Sequence, residues 1–236
     1  MFHAHSTRFD VTDAAVRDTA PRFSCPISLD DTMARYGAPS ESLVALAMRL
    51  NESQSSLSCL CESLIQLGRI SALLAEHRND DGFWKGGMAR ASMIAPLAHS
   101  ALSIPRLASD VCQQSDQFSS VPLRESTRLA ILIYVAVIKN SFGLAAAELK
   151  PLIDRQRRVA SLIPPMSCFP ELQAWADQVS ASAAGSFLLS RTSILHTKTP
   201  GQSLPYSSEL LHQAKALVWV SHLFEGHVIT SMKLSD

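Results

Sequence analysis

Apolar positions recur at steps of three and four along most of the chain, and the places where that rhythm stops divide it into helices. The most continuous stretch runs from Pro122 to Gly143. Pro122 and Glu125 stand in its first turn, and Lys139, Asn140 and Gly143 close it. A helix tolerates proline at its start, favours acid there and favours glycine at its exit. From Leu129 to Ile138 no residue is charged. A surface helix carries a polar stripe, so this one is predicted to be a core helix, about 122–141, wrapped by the others. The uncharged run of 10 residues is well short of a membrane span, which needs roughly 18.

Upstream, Ser40 is placed to cap a helix with Leu43, Leu46, Ala47 and Leu50 on one face. A second helix is predicted over 55–77, where Leu57, Leu60, Leu64, Leu67, Ile70, Leu73 and Leu74 form a stripe, with Cys61 beside it. The turn Asn79-Asp80-Asp81-Gly82 ends it. A third spans 88–102, and Pro96 is expected to bend or split it.

Downstream of Gly143, residues 144–163 are amphipathic. Leu149, Leu152, Ile153, Val159, Ala160 and Ile163 are predicted inward; Asp154, Arg155, Arg157 and Arg158 are predicted outward. A small-residue helix, 171–189, offers Ala174, Trp175, Val179, Ala183 and Phe187 as its apolar face. Ser207 or Ser208 caps a last helix whose buried side runs from Leu210 to Phe224. Residues 1–40, with Pro21, Pro26 and Pro39, are predicted as a mostly extended or disordered lead-in containing a short helix near 29–36. Residues 227–236 form a tail. No segment alternates with period two. The predicted fold is all-α, an irregular multi-helix bundle around the buried central helix, with 41–226 as one domain.

Composition supports a packed core, since 47% of the 236 residues are hydrophobic and 18% charged. Lys plus Arg and Asp plus Glu are both 21, so the net charge is zero. A protein that grips phosphates by itself carries a basic excess, and autonomous nucleic-acid binding is not expected. The five cysteines, Cys25, Cys59, Cys61, Cys112 and Cys168, form no Cys-x-x-Cys pair and have no histidine at zinc spacing. They are expected to be free thiols in a reducing compartment. The polar opening from Met1 to Asp10 has no secretory apolar run, which predicts an intracellular protein. His3 and His5 could chelate a metal, but a mobile terminus is the expectation for them. No metal, no cofactor and no membrane partner is expected.

The nucleophile-elbow, P-loop, dinucleotide and zinc-protease motifs are absent. Asp80-Asp81 belongs to a turn that forms without metal. His212 and His222 stand ten residues apart, roughly 15 Å along a helix, too far to share an ion. Arg155, Arg157 and Arg158 are most simply the solvated face of an amphipathic helix. Arg128 lies one turn before the uncharged run, where its charge needs a partner, and Glu125 is three residues back. Trp84, Trp175 and Trp219, with Tyr134, are the aromatic groups available to line a pocket. The candidate ligand-binding residues are therefore Arg128, Tyr134, His99 and Trp175.

Three segments carry a family resemblance: His99-Ser-Ala-Leu-Ser-Ile-Pro-Arg106, the central Leu123 to Gly143, and Ala214-Lys-Ala-Leu-Val-Trp219. Over roughly 90–225 the chain resembles the region downstream of the DNA-binding segment in fungal zinc-cluster transcription factors. There, a helix ending in a leucine-serine-leucine-proline motif, a charged-then-aliphatic helix and a late tryptophan helix follow in this order. The six-cysteine zinc cluster of such regulators is missing, so no zinc or DNA-reading residue is implied. The helix around Trp175 has Ser180, Ser182 and Ser186 where the family has Gly-Gly and bulky aliphatics.

The resemblance implies a regulatory or interaction protein, a coregulator of a fungal secondary-metabolite gene cluster. It would work in the nucleus or cytoplasm through a protein partner or small-molecule ligand. It also allows a piece of a longer regulator. The alternative is an enzyme, a cofactor-free cyclase or isomerase working in an apolar helical pocket. A closed pocket with Arg128 or Tyr134 pointing into it would favour the enzyme. A solid interior with exposed apolar surface would favour the interaction protein.

Overall fold

The computed structural model describes residues 13–17, 19–22, 37–53, 56–87, 93–107, 120–164, 168–191, 207–219 and 221–224. Among them 74% are helical and none is in a strand, so the fold is all-α, in line with the missing period-two alternation. After a short helical stretch at 13–17, nine helices follow in order among the described residues. They are α1 (Glu41–Glu52), α2 (Cys61–Glu76), α3 (Asp81–Trp84), α4 (Ala95–Ser103) and α5 (Ser120–Ser141). Then come α6 (Leu149–Ala160), α7 (Pro170–Arg191), α8 (Ser208–Leu217) and α9 (Ser221–Phe224). A one-turn 3-10 segment, Ser58–Leu60, leads into α2.

α5 is the axis. Every residue from Glu125 to Ile138 is buried, so the helix has no solvent face, as its uncharged run predicts. α6 and α7 supply most of its cover, α4 lies along another side, and α2 and α9 close the remainder. Pro122 stands in the first turn, where its missing N–H is lost at no cost. At the far end Gly143 adopts a φ of +72°, which admits glycine readily. The chain then doubles back, with Leu144 N–H on Lys139 O at 3.0 Å, and the Lys139 ammonium bonds the nearly buried Glu148 carboxylate.

The predicted helices are met with local differences. α2 is shorter at its start than 55–77, because the chain first takes a 3-10 turn after Leu57. Of the stretch predicted as a helix over 88–102, residues 88–92 lie outside the described residues; Met93 and Ile94 form a turn and α4 begins at Ala95, so Pro96 stands in the first turn of α4. Residues 144–148 are a turn, and α6 starts at Leu149. Leu149, Leu152 and Ile153 are buried as predicted. Val159 and Ala160 are only half-buried, and Gln156 takes the inward position instead. Residues 13–17, within the expected lead-in, are helical and bury Ala14 and Ala15, and Arg155 donates to Val16 O at 3.0 Å. The short helix expected near 29–36, the tail 227–236 and the side chain of Phe187 lie outside the described residues.

The last helix is broken. Ser207 caps α8 through Leu210 N–H at 3.2 Å, as predicted. At Val218 the backbone turns extended (φ −150°, ψ 104°), and α9 starts afresh at Ser221. His212 and His222 therefore do not stand on one continuous helix.

One apolar core links Ala14 to Phe224. Ser58–Glu76 has the length and apolarity of a membrane span, yet half of that window is buried. Gly68 on α2 shows how close the packing is: a Cβ there would lie 2.4 Å from Leu43 Cδ2 and 3.0 Å from Pro39 Cβ.

Candidate functional site

The first turns of α5 carry four consecutive polar residues, Glu125, Ser126, Thr127 and Arg128, and all four are buried. Burying a charge costs several kcal/mol unless it is paired. The i, i+3 spacing puts the partner at hand: Arg128 Nε donates to Glu125 Oε2 at 2.9 Å and Nη2 to Oε1 at 2.6 Å. This two-bond fork is the strongest geometry available to an arginine and a carboxylate. Arg128 is 0% exposed.

Neighbouring helices complete the polar belt. Gln156 of α6 uses its amide nitrogen twice, toward Ser126 Oγ at 3.1 Å and Asp177 Oδ1 of α7 at 3.0 Å. One side chain thereby fixes three helices in register. Thr127 Oγ1 and Ser180 Oγ, also buried, have no hydrogen-bond partner among the described residues. Gln156 lies four residues beyond Leu152 on the inward face of α6. That spacing could have pointed to it, but a sorting that expects only apolar residues inside passes over it.

Tyr134 is 0% exposed. Its hydroxyl accepts from Ser71 Oγ of α2 at 3.2 Å, and its ring meets Phe224 of α9 edge-on at 4.9 Å. It is six residues beyond Arg128, about 9 Å along the helix and about 120° around it. The two therefore do not face one site. Trp175 of α7 is buried and donates its indole N–H to Val218 O at 2.8 Å, at the bend between α8 and α9. Trp219 stacks on Phe224 at 4.8 Å, and Lys215 lies 5.1 Å over its ring. Tyr134 and Trp175 thus meet the same α8–α9 corner from below. His99 stands half-buried on α4.

The three tryptophans do not gather around Tyr134 as one pocket wall. Trp84 belongs to a second aromatic group, just past the C-terminal end of α5. It stacks on Phe142 at 5.2 Å, and Phe83 lies between Phe142 and His77, the last pair flat against each other at 4.4 Å. Asp80 caps α3 through Phe83 N–H at 3.0 Å and meets His77 Nδ1 at 3.1 Å. Those bonds hold its carboxyl below the usual carboxylate value.

Cys59, Cys61 and Cys168 are free thiols. Partial burial raises the first two above their ordinary value, which makes them poor nucleophiles at neutral pH. Cys25 and Cys112 lie outside the described residues. Among the described residues no three His, Cys, Asp or Glu side chains converge as a metal site.

Comparison with protein-family models, with curated proteins and with solved structures gives no match for this chain. The chemistry must therefore be argued from the side chains themselves. Their arrangement is one of mutual engagement. Arg128 lies on Glu125, Gln156 between Ser126 and Asp177, Tyr134 against Ser71, and Trp175 against Val218. Such a belt locks helix register.

Proposed function

We propose that this chain is a transcription-factor-like regulatory or interaction protein, a coregulator of a fungal secondary-metabolite gene cluster. It acts in the nucleus or cytoplasm, through a protein partner or small ligand, and contacts DNA only by way of that partner. The observation that carries this reading is the engagement of the most polar candidate, Arg128, which is fully buried on a carboxylate of its own helix. A catalytic group has to be within reach of a reacting atom. With Arg128, Tyr134 and Trp175 each held by a partner within the fold, its outer surface is the part left to act. Zero net charge and the resemblance of residues 90–225 to the regulator middle region point the same way.

The cofactor-free cyclase or isomerase would need Arg128 or Tyr134 at a cavity wall. Both are 0% exposed, and this weighs against it.

Deleting the gene separates the two readings. A coregulator's loss silences the transcripts of its cluster. An enzyme's loss leaves transcripts intact and accumulates one pathway intermediate, which would overturn the proposal. Tight binding of cluster promoter DNA by the purified chain alone, at physiological salt, would overturn its partner-dependent part.

A further inference from the structure

Ser40 serves two helix ends at once. Its Oγ accepts Leu43 N–H at 3.2 Å, capping α1. Its hydroxyl proton is directed at the last carbonyls of α8, with Ala216 O at 3.0 Å and Leu217 O at 2.9 Å. A positive helix end and a negative one therefore meet at a single oxygen.

α8 stops there with no glycine or proline to stop it; the residues are Ala216, Leu217, Val218 and Trp219. What ends the helix is capture of its carbonyls from outside, by Ser40 and, at Val218 O, by the Trp175 indole. Beneath the bend lie the buried Tyr134 and Trp175. Ser40 itself is exposed and in extended backbone (φ −62°, ψ 149°), with Glu41 next in sequence.

We propose that Ser40 is a clasp holding the α8–α9 corner shut, and that a negative charge placed on its oxygen by phosphorylation opens the corner while α1 stays capped. In that transfer the Oγ–H bond breaks and an Oγ–P bond forms to the terminal phosphoryl of a nucleoside triphosphate. The nucleoside diphosphate leaves, and the proton passes to the base of the protein kinase. The oxygen then has no proton to give α8. The new charge is favourable at the N-terminus of α1 and unfavourable against the C-terminal carbonyls of α8. One modification thus pushes the two helices in opposite senses. Opening uncovers the apolar faces around Trp175 and Tyr134. Only the use of that surface by a partner rests on the proposed function; the clasp stands without it.

Two nearly isosteric variants of the full chain test this. Ser40→Asn and Ser40→Asp both cap a helix well, but only the amide can still donate to α8. Hydrogen exchange followed by mass spectrometry should show residues 208–219 exchanging on the order of tenfold faster in Ser40→Asp. Ser40→Asn should stay close to the parent chain, and residues 43–52 should be unchanged in both. Ser40→Ala, which loses cap and clasp together, should loosen both segments. Phosphoserine installed at position 40 should match Ser40→Asp. Equal exchange at 208–219 in the Asn and Asp variants would overturn the proposal, as would an Asp effect on α1 as large as that on α8.

Discussion

Arg128 grips Glu125 one turn back on the same helix through two parallel hydrogen bonds, 2.9 Å and 2.6 Å long, with both side chains out of water. Neither charge has a solvent route, so each depends on the other. Arg128→Met leaves a carboxylate stranded in the core and should cost about 3–5 kcal/mol. Adding Glu125→Leu to that variant should recover most of the loss, because two apolar groups of similar size need no partner. Urea unfolding of the single and double variants measures both. A double variant as unstable as Arg128→Met alone would mean that the pair does more than neutralise itself.

Gly68 is set by contact rather than by backbone angle. Gly68→Ala gains about 1 kcal/mol of helix propensity. Its new methyl, however, meets Leu43 Cδ2 at 2.4 Å, and overpacking of that kind costs about 1–3 kcal/mol. The expected net effect is a loss. In a Leu43→Ala background the worst contact is gone and Pro39 Cβ at 3.0 Å remains, so the same substitution should cost less than in the parent chain. A thermodynamic cycle over the four proteins reads the coupling directly.

Asp80 predicts a pH dependence. Its bonds to Phe83 N–H and to His77 lower its folded value below 3.8. A depressed carboxyl stabilises the fold above its unfolded value and loses that contribution as pH falls through the folded one. The stability gap between the parent chain and Asp80→Ala should therefore be full at pH 6 and shrink in acid below about pH 4. Chemical unfolding at a series of pH values tests the sign.

Trp175→Phe keeps an aromatic ring in place and removes the donor to Val218 O. A buried carbonyl left without its partner costs about 1–3 kcal/mol. The expected signature is local: amides of α8 and α9 exchange faster, and those of α2 keep their protection. Uniform loosening across the chain would place the role of Trp175 in bulk packing.

The parts of this fold that were legible in the sequence rest on short-range cues. The ten uncharged residues from Leu129 to Ile138 announced the enclosed helix, and the three-residue step from Glu125 to Arg128 announced their pairing. Ser40 and Ser207 announced two caps. What escaped depends on partners far away in the chain. The break at Val218 has no local breaker; it follows from Ser40 and Trp175, residues separated from it by 178 and 43 positions respectively (218 − 40; 218 − 175). The inward turn of Gln156 depends on Ser126 and Asp177 being opposite it. The sequence marks Pro96 as a bend or a split, because proline in a helical pattern looks alike inside a helix and at its start. Only the position of the N-terminus decides between the two. Of the four candidate ligand residues, Tyr134 and Trp175 reach a common corner, whereas Arg128 faces away from Tyr134 on α5.

The enclosure of α5 bears on how this protein can change over time. A rod touched on every side by its own chain is read only by that chain, so its side chains are answerable to shape and to nothing outside. Selection on recognition acts on the outer helices and can rewrite them while the rod stays as it is. Two descendants could then share the rod and no binding partner.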